Sequence, residues 1–128
     1  MPDVGYYEKI PRRGSIEKLI EYLGTNPVVT DVVEVRPQVI QIERDGKSTL
    51  TVFMTNIYHV SDSDVLEISA ANQGLSAIVT MSAWNGYTNS AKQRAKKMGI
   101  GLFKFAEFLG AVYYDKERFL DYTPPERD

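Results

Sequence analysis

The sequence predicts an α/β domain: a mixed central β-sheet flanked by helices, in the order α-β-β-β-α-β-α-β with a short terminal helix. Three observations carry this. Ala77-Ile78-Val79-Thr80-Met81 is a continuous apolar run of strand length, the pattern of a strand covered on both faces. A polar loop, a basic helical stretch and a second apolar run, Ile100 to Phe105, follow it. That is a βαβ crossover, so its two strands are parallel. Finally, Arg44-Asp45-Gly46-Lys47 separates two strand-like segments and reads as a tight hairpin.

The elements follow in order. Residues 1–14 form an irregular lead-in. Ile16, Leu19, Ile20 and Leu23 obey the i, i+3, i+4, i+7 rule of an amphipathic helix, with Ser15 as its expected cap and Gly24 as its stop. Asn26-Pro27 breaks the chain. Val28 to Val35 is rich in β-branched residues and reads as a strand ended by Arg36-Pro37; Val39 to Glu43 is the next. Thr49 to Thr55 alternates, placing Leu50, Val52 and Met54 on one face and Thr51, Phe53 and Thr55 on the other. Ser61-Asp62-Ser63-Asp64 opens a helix that runs to about Gln73 and stops at Gly74, its acids suiting the helix N-terminus. After the strand at Ala77, Thr88 caps a helix with Ala91, Ala95 and Met98 on a narrow buried stripe, and Gly99 ends it. A short helix closes the unit and Lys116 to Leu120 adds a last turn; residues 122–128 are expected as a loose tail.

Composition narrows the chemistry. The 128 residues suit a single domain, with 43% hydrophobic and 25% charged residues. With no cysteine, disulfides, thiolate catalysis and cysteine zinc sites are excluded; with one histidine, His59, a multi-histidine metal centre is not expected. No apolar run is long enough to span a bilayer or serve as a signal peptide, so no membrane partner is expected and a cytoplasmic location is the default. A net charge of −2 argues against indiscriminate polyanion binding but leaves room for local basic patches.

The order of elements, the Asp45-Gly46 hairpin and the crossover together resemble the PD-(D/E)XK nuclease superfamily, most closely its Mrr-type and archaeal Holliday-junction-resolvase branches. The likeness spans roughly Ser15 to Val112. It rests on Val79-Thr80-Met81-Ser82, on Tyr87-Thr88 with Ala91 to Ala95, on Ile100 and Leu102, and on Glu43-Arg44-Asp45-Gly46-Lys47. The resemblance implies a restriction-endonuclease-like fold. Such nucleases hold magnesium with carboxylates at the hairpin and place a lysine on the strand after it. Here Val39, Phe53 and Thr55 stand at those positions. None of them binds a hard cation as a carboxylate does. The resemblance therefore implies a degenerate catalytic motif, with neither metal nor cofactor.

The expected function is a non-catalytic module that engages nucleic acid or a DNA-processing or transcription protein. The candidate contacts are Trp84, in the loop after a strand, and Lys92, Arg94, Lys96, Lys97 and Lys104, five cations with no acid between Lys92 and Lys104. They either meet phosphates or form a solvated helix face. Trp84 either stacks on a partner or folds back over the core. Tyr87 is expected to pack in the core. The alternative function is a magnesium-dependent nuclease with a migrated site built from Glu17, Asp31, Glu34 and Glu43. A third expectation is a homo-oligomeric protein-interaction domain, a homodimer among its forms, with the late aromatics Phe103, Phe105, Phe108, Tyr113 and Tyr114 as its interface.

Overall fold

The computed structural model describes residues 9–124. Its elements are α1 (Arg13–Gly24), β1 (Val29–Arg36), β2 (Val39–Arg44), β3 (Lys47–Thr55), β4 (His59–Val60), α2 (Asp62–Ala71), β5 (Ala77–Thr80), β6 (Gly86–Tyr87), α3 (Asn89–Lys97), β7 (Gly101–Lys104), α4 (Phe105–Ala111) and α5 (Lys116–Leu120). The main sheet has five strands in the order β1-β2-β3-β5-β7. The first three strands pair antiparallel and the last three parallel, so the sheet is mixed, as the crossover demands. A two-stranded parallel pair, β4 with β6, was not legible in the sequence, because two residues carry no periodicity.

Alternation along the strands divides the core in two. Ile40, Ile42, Val52, Met54, Val79 and Phe103 point to one side, where Ile16, Leu19 and Leu23 of α1, Phe108 of α4 and Phe119 of α5 cover them. Ile78 and Leu102 point to the other, against Val65 and Ile68 of α2 and Ala91 and Ala95 of α3. Helices thus lie on both faces.

Several local expectations are corrected. Ser15 does not cap α1: the helix begins two residues earlier, at Arg13, and Arg12 precedes it without a side-chain capping bond. Met98 is not part of the buried stripe and is 44% exposed. The helix ends in a Schellman turn in which Ile100 N–H reaches Ala95 O at 2.9 Å and Gly99, at φ 75°, reverses the chain. That turn buries Ile100 in place of Met98. Phe105 opens α4 rather than closing β7. Tyr122 is not loose: it packs against the core, its ring 5.5 Å from that of Tyr114. The rest of the expected tail after Pro124, and residues 1–8 of the lead-in, lie outside the described residues. Lys9, in that lead-in, is pinned: its carbonyl accepts from Asn56 N–H and from the Thr55 hydroxyl.

The hairpin forms as expected, though only Gly46 takes the left-handed conformation, at φ 70°. Asp45 keeps negative φ, and a register shift between Ile42 and Arg44 absorbs the difference. Ser61 and Asp64 form a reciprocal capping box, Ser61 N–H donating to Asp64 Oδ2 at 2.9 Å and Asp64 N–H to Ser61 Oγ at 3.3 Å.

Candidate nucleic-acid interface

Because β3, β5 and β7 run parallel, their carboxyl ends share one rim, and the register sets Thr55, Thr80 and Lys104 in a row there. In open α/β sheets that rim is where the chain leaves the sheet and where ligands gather. The loop after β5 is held to it by a polar network. The Thr80 hydroxyl donates to Ile57 O at 2.6 Å. Asn85, almost fully buried, donates through Nδ2 to Thr80 Oγ1 and to Asn56 Oδ1, both at 3.0 Å. Asn56 Oδ1 also accepts from Ser82 Oγ at 2.6 Å. Among the described residues no buried side-chain polar atom lacks a partner, so the hydrogen bonds of this network offset the cost of burying its groups and rigidify the turn.

The network fixes both ends of the turn and leaves its tip out. Trp84 is 75% exposed; it does not fold back over the core. Tyr58 is 62% exposed and borders the same turn, since Gly86 N–H donates to Tyr58 O at 2.9 Å and β4 pairs with β6. His59, the lone imidazole, is also exposed there. Lys104 crosses the same surface: a Cβ built on Gly86 would sit 3.8 Å from its Cε. Tyr87 is half-buried against the second core, as a packing residue, but it has a further task. Its hydroxyl donates to both Glu107 oxygens, at 2.8 and 3.0 Å, while Glu107 Oε1 accepts Lys104 N–H at 2.9 Å. Burial, and then the Glu107 carboxylate, push the Tyr87 phenol well above its ordinary range. Tyr87 and Glu107 therefore fix the backbone that carries Lys104.

The five candidate cations do not form one face. Lys92 turns inward, donates to Leu102 O at 2.5 Å and lies 4.0 Å from the Phe103 ring centroid. Burial lowers its pKa to about 8, so it is an anchor at the edge of β7 and not a solvated charge. Arg94 stands 3.6 Å from Asp62, and Lys96 pairs with Asp121. Lys97 is exposed at the opposite end of β7 from Lys104. Of the set, only Trp84 and Lys104 border the same turn, Lys104 through its approach to Gly86.

The carboxylates also separate. Glu34 lies on the α1 side of β1, both its oxygens 2.8 Å from Arg13 Nη1, and Glu17 stands 3.6 Å from the same guanidinium. Asp31 and Glu43 face each other across β1 and β2 on the opposite side of the sheet. Among the described residues no three His, Asp or Glu side chains are grouped as metal ligands would be. Val39 and Phe53 are register partners on the strands that carry them, and Thr55 Oγ1 is spent on Lys9 O at 3.0 Å. The late aromatics form no continuous exposed edge: Phe103 and Phe108 are buried, while Tyr113 and Tyr114 are exposed.

No protein-family model, curated protein or solved structure matches this chain.

The geometry alone therefore carries the functional argument. The sequence pointed to Trp84 and Lys104 but not to Tyr58 or Glu107. Tyr58 joins the turn that carries Trp84 only through the β4–β6 pairing, which two-residue strands do not announce. Glu107 is visible only as an acid three residues past Lys104, the spacing of a helix-start acid.

Proposed function

We propose that this chain is a non-catalytic, nuclease-like module that binds single-stranded nucleic acid at the carboxyl rim of its parallel strands. One observation carries the reading: a turn locked by the Asn85 network leaves Trp84 in solvent, and Gly86 at the end of that turn meets both Tyr58 O and the Lys104 side chain. The fixed backbone of the turn presents a large aromatic to solvent, and an exposed indole offers a stacking surface for a base. Lys104 adds a cation for the backbone that follows such a base. The non-catalytic part is supported by Val39, Phe53 and Thr55 at the positions the resemblance assigns to the metal and phosphate machinery, and by the division of the four carboxylates between two sides of the sheet.

Trp84 is the only tryptophan, so its fluorescence reports the site directly. Titration with single-stranded, duplex and branched DNA should quench it most strongly with the single strand. Stacking on the order of 1–3 kcal/mol per base predicts that Trp84→Ala weakens binding by roughly 5- to 150-fold. Affinity should fall with salt, but gently, because few cations take part. Absence of salt-sensitive binding to all three forms would sink the nucleic-acid reading and leave a protein partner for the same aromatic patch. Cleavage with magnesium or manganese that vanishes in Glu43→Ala would instead establish the nuclease alternative.

A further inference from the structure

Next to Trp84 the rim opens into a cavity of about 270 Å³ between α1, the turn after β5 and the start of α4. Its polar lining is Ser15, Lys18, Ser82 and Lys104, over an apolar floor of Met81 and Phe105, and no acidic residue lines it. Lys18 and Lys104 arrive from different elements and meet at one volume. Their situation differs from that of five other cations near the sheet. Arg13, Arg44, Arg94 and Lys96 each have a carboxylate partner and Lys92 a carbonyl, whereas Lys18 and Lys104 make no side-chain ion pair or hydrogen bond among the described residues. Two like charges that border one half-enclosed space both favour an anion bound there. The Ser15 hydroxyl has no hydrogen-bond partner among the described residues and stands in the same lining, a neutral donor beside two charged ones.

We infer that this cavity holds a terminal phosphate monoester, so that the module engages the end of a nucleic-acid strand. The inference rests on the nucleic-acid reading and sharpens it. A monoester carries about −1.5 to −2 at neutral pH and matches two lysines, whereas an internal diester carries only a single charge. Ser82 has already given its proton to Asn56, so it positions the turn and leaves Ser15 and the two ammonium groups as donors. Ala83 lines the cavity and is the residue before Trp84, so a terminal phosphate in the cavity leaves its own nucleotide within reach of the indole.

The test is a fluorescence titration with one short oligothymidylate prepared with a 5′-phosphate, a 3′-phosphate or hydroxyl groups at both ends. One phosphorylated form should bind at least about tenfold more tightly than the hydroxyl-ended strand, as one well-placed charged contact predicts. That ratio should fall to near one in Lys18→Ala and survive in Lys18→Arg. Millimolar inorganic phosphate should compete with the phosphorylated strand. Circular dichroism confirms that the variants fold. Equal affinity for all three strands, or a preference unchanged by Lys18→Ala, overturns the terminal-phosphate inference while leaving the nucleic-acid reading in place. Failure of every strand to bind overturns both.

Discussion

Replacing Asp115 by asparagine tests the tie between the hairpin and the C-terminal helices. Asp115 caps α5, accepting Lys116 N–H at 3.0 Å, and it also accepts Ser48 N–H at 3.0 Å, the Ser48 hydroxyl and Arg44 Nη2 at 2.9 Å. The Arg44 side chain is wholly buried, and its remaining donors go to Ser48 O, Ser48 Oγ, Val112 O and Tyr114 O. Burial alone would raise the Asp115 pKa. The Ser48 hydroxyl and amide, the Lys116 amide and the Arg44 charge outweigh it and bring the carboxyl from 3.8 down to about 2. Burial also lowers the Arg44 pKa, but an arginine still stays protonated at any pH of interest.

A carboxylate whose pKa is depressed by folding stabilises the protein fully above its unfolded pKa, near 4. That stability is lost as pH falls through the folded value, near 2. At 1.36 kcal/mol per pKa unit the contribution is about 2 kcal/mol. Asp115→Asn should therefore cost about 2 kcal/mol at pH 7, measured by urea unfolding followed by circular dichroism. The gap to the unsubstituted protein should shrink towards zero between pH 4 and pH 2. A gap that stays constant across that window, or a variant as stable as the parent at pH 7, would refute the assignment.

Three further outcomes are expected. Gly101→Ala should destabilise by about 1–3 kcal/mol, because its Cβ would run into the Phe103 ring and come within 3.0 Å of Phe119; thermal melting reads this directly. Lys92, with its pKa lowered to about 8 by burial, disfavours the charged form in the folded state. Stability should therefore rise with pH between about 8 and 10.5, and Lys92→Met should flatten that rise in a denaturant series. Asn85→Ala removes the donor that joins Thr80 to Asn56 and leaves the buried Thr80 hydroxyl oxygen without its donor, while Asn56 Oδ1 keeps the Ser82 hydroxyl. It should cost about 1–3 kcal/mol and weaken strand binding although Asn85 touches no ligand; its effect on binding should vanish in a Trp84→Ala background.

Local rules found nearly every element. Ile16, Leu19 and Leu23 set α1 by spacing, Asp45-Gly46 set the hairpin, and the unbroken Ala77 to Thr80 run set a doubly covered strand. These succeeded because each depends on residues within one turn or one strand. Lys92 failed for the complementary reason. Its position on α3 gives it an outward place in a helical wheel, but β7 lies close enough to offer a carbonyl and an aromatic face, which no local pattern records. Met98 failed because the Schellman turn at Gly99, itself legible, selects which of two apolar neighbours is buried.

The sequence by itself determined that the chain folds as a mixed α/β sheet with a parallel crossover, and that Trp84 and Lys104 sit at loop and strand ends. Only the tertiary structure decided that Lys104 reaches the turn that carries Trp84, that Tyr58 and Lys18 border the same rim, and that Lys92, Arg94 and Lys96 are spent on a carbonyl and on carboxylates. The physical reason is range. Periodicity and turn chemistry act over a few residues, whereas charge pairing and cavity shape depend on which distant segments the sheet brings to the same rim.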